Sequence, residues 1–320
     1  MNIKKLLPVI GIVLLIYLVY DIGLSKIINA IKSANIYYLI FGTVLTPLFI
    51  LPLALKWHRI LKKQGFNLNF FYVLKIYYIG AFYGFITPSR AGSLMRAYYL
   101  KKKTKRKLME CASGIVVERI MDLFSVFIFA FLGVIFIIKS YPVLKPVLIA
   151  SFFVFFALIL IFMRKKRAVF LLSLLYKHLL PEHIKNKADN SLNIFYDSLP
   201  RLRKLVSIFL LTIFSWIVLY LQTFIFAKAF HITSIPFYIF ISLISIGTVV
   251  ATIPISISGL GTRELTLINL FGLFNVNPEA VVSMSLVSFI AVGLIESSIG
   301  LFFMLKEGKN EIFDNNPSGS

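Results

Sequence analysis

Only one cysteine, Cys111, occurs in the 320 residues. That excludes an internal disulfide and leaves the redox compartment open. The four histidines (His58, His178, His183, His231) show no ligand spacing; His178 and His183 are five apart, off the i, i+4 face of a helix. No metal is expected. No glycine-rich loop ending in Gly-Lys-Ser/Thr is present, so direct ATP-driven pumping is not expected either. No hydrolase or kinase signature occurs, no nucleophile stands beside a base, and no cofactor is implied. Acids are few: 13 Asp and Glu against 34 Lys and Arg, a net charge of +21. The acids Glu182, Asp189 and Asp197 do not form the D-x-D-like cluster that a nucleotide-sugar transferase would use to hold its donor.

Such a basic chain can mark a nucleic-acid binder, but the distribution of charge argues against it. The lysines and arginines stand in short blocks at the ends of apolar segments, as the positive-inside rule expects. Hydrophobic residues make up 59% of the chain and the mean hydropathy is +0.88. The apolar candidates are Leu6–Tyr20, Ile36–Leu55, Phe70–Ile86, Gly114–Ile138, Pro146–Met163, Leu205–Phe230, Ile235–Ile257 and Ala280–Leu305. Several approach the roughly 20 residues needed to cross a bilayer. Leu6–Tyr20, preceded by Lys4 and Lys5, lacks a small-residue cleavage site and reads as a retained anchor. These features imply an all-α, polytopic integral membrane protein.

Two apolar regions are interrupted in a similar way. One reads Thr87-Pro88-Ser89-Arg90-Ala91-Gly92-Ser93-Leu94-Met95-Arg96, the other Pro254-Ile255-Ser256-Ile257-Ser258-Gly259-Leu260-Gly261-Thr262-Arg263-Glu264. Each places Pro, Ser and Gly inside a hydrophobic stretch and then a G-x-x-x-R step into a helical run. Interrupted helices at matching places in two halves mark substrate sites of carriers.

Charge placement decides how the first break is threaded. Eight successive crossings from a cytoplasmic N-terminus would put the two largest basic blocks, Lys101–Lys107 and the 164–204 segment, on the outer face. A re-entrant hairpin over Phe70–Leu100 brings both inside. A second hairpin over Ile235–Phe274, entering from outside, is compatible with the charges but less constrained by them. The expectation is six spanning helices, two oppositely entering hairpins and an inverted repeat, as one domain over residues 1–305. The protein would be a multi-pass protein of the cell membrane with both termini cytoplasmic. Residues 164–204 would form an amphipathic cytoplasmic loop and 306–320 a disordered tail.

Ser89 or Ser93 could cap the first returning helix and Thr262 the second. Gly92, Gly259 and Gly261 permit close backbone approach, and Arg90, Arg96 and Arg263 can grip a phosphate. The alternative is that Pro and Gly serve only tight packing while the arginines snorkel. Intramembrane acids are costly and face a partner or a wet cavity. Glu118 and Asp122 share a helix face beside Arg119, Glu264 follows Arg263, and Glu296 lies in the last helix. Arg90 or Arg96 is expected to pair with Glu118 or Asp122, and Arg263 with Glu296, either as static pins or as pairs that re-form during transport. The tyrosines Tyr37, Tyr38, Tyr77, Tyr78, Tyr98 and Tyr99 read as interfacial belts.

Three stretches, Pro88–Arg96, Val117-Glu118-Arg119-Ile120-Met121-Asp122-Leu123 and Gly259–Glu264, resemble the membrane domain of lysylphosphatidylglycerol synthase/flippases over essentially residues 1–305. That family includes stand-alone and archaeal glycosylation-related members. The resemblance implies movement of a charged or glycosylated lipid between leaflets, with Arg96, Glu118, Arg119, Asp122, Arg263 and Glu264 as motif residues. The chain ends at Ser320 without the aminoacyl-transferase domain of the full synthases, so lipid aminoacylation is not expected. The function expected is therefore a non-enzymatic flippase for a phospholipid or polyprenyl-phosphate lipid with an anionic or zwitterionic headgroup. Expected partners are membrane lipids, a second copy of the chain and a separate lipid-modifying enzyme, with no nucleic acid. A membrane transferase acting on a polyprenyl-phosphate lipid and a non-transporting envelope scaffold are the alternatives.

Overall fold

The computed structural model describes residues 3–137, 153, 156–157, 193–199, 205–252 and 259–314, without the side chains at 3–12, 88–90, 133–137 and 308–314. Most of Pro146–Met163, most of the 164–204 segment, Ile253–Ser258 and the last six residues lie outside the described residues, so the expected six-span count extends beyond them. Among the described residues there is helix and no strand. The helices are α1 (Ile3–Ile22), α2 (Leu24–Lys32), α3 (Ile36–Val44), α4 (Thr46–Lys63) and α5 (Phe70–Phe85). A 3-10 turn over Pro88–Leu94 leads to α6 (Met95–Thr104) and α7 (Leu108–Ile137). Then come α8 (Val206–Ala229), α9 (Phe237–Thr252), α10 (Thr262–Gly272) and α11 (Pro278–Asp314). By length and apolarity, Ile36–Lys63 (α3 with α4), α8 and Pro278–Glu307 of α11 can each cross a membrane; Val13–Ile22 and Leu24–Lys32, bent by 79°, read by those measures as a broken span or a re-entrant loop.

Local chemistry sets where helices begin. Asn35 accepts a hydrogen bond from the Tyr37 N–H at 3.0 Å, and Asn69 from the Phe71 N–H at 2.8 Å, capping α3 and α5. Side chains are distributed inside out relative to a water-soluble protein. Exposed apolar stripes run down α8 (Leu210, Phe214, Ile217, Leu221) and α11 (Ile290, Leu294, Leu301, Phe302), while Thr212, Ser215, Gln222, Ser285 and the charged Lys56, Arg96, Glu118 and Glu264 are buried. In hydrocarbon an apolar exterior costs nothing, whereas a polar group must be matched inside the bundle.

Two hairpins organise the bundle. In the first, α6 folds back along α5: Arg96 lies against Gly80, and the Lys103 Nζ reaches the Tyr72 ring at 5.6 Å. In the second, α10 folds back along α9: Leu267 packs on Gly247 and the Phe271 ring lies 5.7 Å from Phe240. They enter from opposite ends. The first opens where Arg106 donates to the Gln64 and Gly65 carbonyls and Lys75 pairs with Glu307, an end rich in lysine. The second opens where Asn35 N–H donates to Ala229 O and His231 meets Ser33 O. Each hairpin has its own apolar core: Trp57, Leu61, Ile76, Ile79 and Leu100 around the first, Phe226, Phe240, Leu243, Phe271 and Val281 around the second.

The turns of the hairpins converge on α11. Phe85, at the end of α5, stacks 5.4 Å from Phe289, and Arg263, at the start of α10, places its guanidinium 5.4 Å from the same ring. Phe289 lies 11 residues, about 16 Å, along α11 from Pro278. That is about half the ~30 Å hydrocarbon thickness. The two helix pairs thus fold back on themselves, open toward opposite ends of the bundle and meet near Phe289. The tyrosines divide: Tyr37, Tyr38 and Tyr98 are exposed as an interfacial belt requires, whereas Tyr78 and Tyr99 are buried and Tyr77 stacks inside on Arg96. Close packing of α5 with α6 and α11 draws these rings inward.

Candidate functional site

The first hairpin carries a buried charge cluster. Glu118 sits ten residues, about 15 Å, along α7 from Leu108, and its side chain is 2% exposed. Its Oε2 lies 2.8 Å from Arg96 Nη1 and its Oε1 3.7 Å from Lys56 Nζ. Lys56 Nζ donates to Asp122 Oδ1 at 2.5 Å, and Trp216 Nε1 donates to the same oxygen at 3.0 Å. One helical turn separates Glu118 from Asp122, which puts both carboxylates on the face that meets α4 and α6. The Arg96 guanidinium lies against two neighbouring rings, Trp57 (4.7 Å) and Tyr77 (4.8 Å), and these cation–π contacts offset its desolvation. Gly80 makes this possible, since a Cβ there would lie 2.4 Å from Arg96 Cγ.

Two arginines converge on the turn. Arg96 Nε donates to the Ser93 carbonyl at 3.2 Å, and Arg119 Nη2 donates to Ser93 Oγ at 2.8 Å. The close Arg96–Glu118 contact lacks the direction of a hydrogen bond: Arg96 Nη1 and Glu118 Oε2, like Trp57 Nε1, are buried without a hydrogen-bond partner.

The second motif is organised differently. Glu264 is fully buried and its Oε2 accepts the Gly261 N–H at 2.6 Å, closing the first turn of α10. Its Oε1 accepts from Arg263 Nη2 at 2.8 Å and from Ser285 Oγ at 2.7 Å. Arg263 also donates to the Ser285 carbonyl at 3.4 Å. Gly259 and Gly261 take φ of +80° and +83°, and a Cβ on Gly259 would come within 2.3 Å of Ala251 Cβ. The break is thus a left-handed turn that only glycine fits without strain.

Each sequence-derived candidate can now be placed. Arg96, Glu118, Arg119 and Asp122 come together, and Arg96 pairs with Glu118 as anticipated. Gly92 packs the turn: its N–H donates to Thr87 Oγ1 at 2.7 Å, and a Cβ would lie 2.1 Å from Tyr83 O. The side chains of Ser89 and Arg90 lie outside the described residues. Gly259, Gly261, Thr262, Arg263 and Glu264 form the second group. There Arg263 pairs with its neighbour Glu264, whose carboxylate also turns back to accept the Gly261 N–H. Glu296 lies about two turns beyond Phe289 on α11, within electrostatic reach of Tyr78. The N-cap of α10 is Gly261, with Thr262 at the next position donating its Oγ1 to Gly259 O at 3.1 Å, and Ser93 Oγ accepts from Arg119. Among the described residues no His, Cys, Asp or Glu group could hold a metal ion.

Lys56, Trp57, Tyr77, Trp216 and Ser285 were not apparent from the sequence. Lys56 follows directly on the apolar run and looks like a flanking cation. The signal available was that the helical pattern continues past it to Lys62 and Lys63, leaving Lys56 two turns inside the helix end.

The chain is similar to two archaeal proteins over nearly its whole length. It is 26% identical to the "UPF0104 membrane protein MJ1595" of Methanocaldococcus jannaschii, covering 94% of each chain. It is 22% identical to the "UPF0104 membrane protein PH1989" of Pyrococcus horikoshii, covering 96% of this chain and 98% of that one. Residues 6–300 match the family model described as the lysylphosphatidylglycerol synthase TM region. With opposed hairpins, a lipid-facing apolar exterior and a match across nearly all of its residues, this chain belongs to the lysylphosphatidylglycerol synthase transmembrane-region family.

Proposed function

We propose that the protein is a lipid flippase, moving a phospholipid or polyprenyl-phosphate lipid with a charged or glycosylated headgroup between leaflets without bond chemistry of its own. The observation that carries this reading is the meeting of two oppositely entering hairpins at Phe289, with buried charge at the turn of the first. A headgroup entering at mid-depth is met by ionic groups from α4, α6 and α7, while its chains stay against the apolar exterior. Interrupted helices meeting from both sides are the arrangement by which carriers expose one site alternately to two faces. The family's membership supports a lipid as the cargo. The protein acts in the cell membrane, with the lysine-rich end and both termini on the cytoplasmic side. A lipid-modifying enzyme on a separate chain would supply or consume the lipid.

The test is translocation of headgroup-labelled lipids in proteoliposomes, with a membrane-impermeant quencher reporting the outer leaflet. Wild type should accelerate translocation of at least one lipid class, and Arg96→Ala should abolish it. Rates equal to protein-free vesicles across phospholipids and polyprenyl phosphates would remove the proposal.

A further inference from the structure

α1 and α2 meet at Gly23, whose φ of +94° lets the chain bend by 79° between them. Length and apolarity alone make this pair a broken span or a re-entrant loop. The placement of its polar residues points elsewhere. The 20 residues of α1 extend about 30 Å, the full hydrocarbon thickness, so α2 is not needed to complete a crossing. Charged residues bound α1 at both ends, Lys4 and Lys5 before its apolar run and Asp21 beside the bend. As an arm inside the hydrocarbon, α2 would carry the exposed Ser25, Lys26, Asn29 and Lys32 among lipid tails, where polar groups are costly.

The nine residues of α2 divide into three faces. Leu24, Ile28 and Ile31 are exposed and share an arc of about 60°. Ser25, Lys26, Asn29 and Lys32 are exposed on a separate arc of about 120°. Ile27, at the other edge of the apolar arc, is buried, and its carbonyl accepts from Ser283 Oγ of α11 at 3.4 Å. A helix fixed to the protein by one face, with an apolar and a charged face both exposed, fits the boundary between lipid and water.

The level of α2 in the bundle agrees with that boundary. α3 begins, α8 ends and α11 begins at this end, where Asn35 N–H donates to Ala229 O at 2.8 Å and His231 meets Ser33 O at 3.0 Å. Ser283 lies five residues, about 7.5 Å, along α11 from Pro278. Interfacial helices bury their apolar face to a depth of roughly 5–10 Å. The exposed apolar edge is also continuous along the chain with exposed residues of the flanking helices, Ile16 and Tyr17 of α1 and Ile40 and Val44 of α3.

We infer that α2 is a membrane-surface helix on the leaflet opposite the lysine-rich end. Leu24, Ile28 and Ile31 dip into the acyl boundary of that leaflet, and Lys26 and Lys32 stand at the level of its phosphate-bearing headgroups. The occupant of the exposed apolar face is phospholipid. Through Ile27 the helix holds the start of α11, and so sets the depth of the end at which the second hairpin opens.

The test uses full-length protein in a Cys111→Ser background with a nitroxide attached at Ser25→Cys, Ile28→Cys, Asn29→Cys or Ile31→Cys. Val44→Cys, 66% exposed on α3, is the deep reference. All five positions are exposed, and each variant would be checked for a monodisperse elution profile. In vesicles of phosphatidylcholine and phosphatidylglycerol, collision rates with oxygen and with an aqueous nickel chelate give the depth of each label. The oxygen-to-nickel ratio should be about threefold or more higher at Ile28 and Ile31 than at Ser25 and Asn29, and highest at Val44. Four α2 labels open to nickel alike would put the helix in water and overturn the inference. Four labels preferring oxygen alike would return α2 to the hydrocarbon as a re-entrant or spanning arm. Ile28 and Ile31 shielded from both reagents and broadened by a second nitroxide would make the face a contact between copies, which also overturns it. No transport step enters this readout, so its failure and the failure of the flippase reading are separate results.

Discussion

Replacing Lys56 by Met separates the tertiary reading of this residue from its reading as a flanking cation. The Lys56 side chain is fully buried and lies 2.5 Å from Asp122 and 3.7 Å from Glu118. Met fills nearly the same volume, so little is lost in packing. Electrostatics dominate: Asp122, 13% exposed, keeps only the Trp216 N–H among these partners. Removing one partner of a buried pair costs about 3–5 kcal/mol. Because Asp122 retains Trp216 and Glu118 retains Arg96, the lower end applies, about 3 kcal/mol or roughly a hundredfold in the folding equilibrium. The double variant Lys56→Met/Asp122→Asn leaves no orphaned charge and should recover more than half of the loss. The assay is equilibrium unfolding of the purified protein in mixed micelles, followed by tryptophan fluorescence. A lysine snorkelling at the interface would change stability by no more than about 0.5 kcal/mol. That result for Lys56→Met, or a double variant as unstable as the sum of the two single ones, would refute the assignment of a buried pair.

Other expectations rest on different contacts. Gly80→Ala drives a Cβ to 2.4 Å from Arg96 Cγ, so it should shift the fluorescence of Trp57 and slow translocation, whereas Gly272→Ala, with nothing within 4 Å, should do neither. Glu264→Ala removes the acceptor for Gly261 N–H, Ser285 Oγ and Arg263, and should lower stability by about 3 kcal/mol or more. Arg263→Gln, at a side chain 21% exposed, should cost clearly less in the same unfolding experiment. In a Cys111→Ser background, an impermeant maleimide should label Lys103→Cys and Lys306→Cys from one side of the membrane and Asn277→Cys from the other. Labelling of all three from one side would dismantle the opposed hairpins.

The sequence by itself determined the membrane class, the helices and the places where they break. Those properties are local: apolar length sets what can cross, and the Pro, Ser and Gly steps at 87–92 and the glycines at 259 and 261 break a helix wherever it lies. The basic block Lys101–Lys107 even indicated that the first break turns the chain back, because charge follows the side of the membrane. The i, i+4 spacing of Glu118 and Asp122 likewise announced a shared face. Only the tertiary structure decided who partners whom. Lys56 and Asp122 are 66 positions apart and Trp216 is 94 beyond Asp122, so nothing in the local pattern distinguishes a buried lysine from a flanking one. The two motifs look equivalent as strings, yet the bend of the Glu264 carboxylate onto Gly261 neutralises one of them. Convergence of α4, α6 and α7 gathers Lys56, Arg96 and Arg119 with Glu118 and Asp122 at the other. Helix formation is decided within a turn or two of the chain, whereas the energy of a buried charge depends on which helices stand beside it.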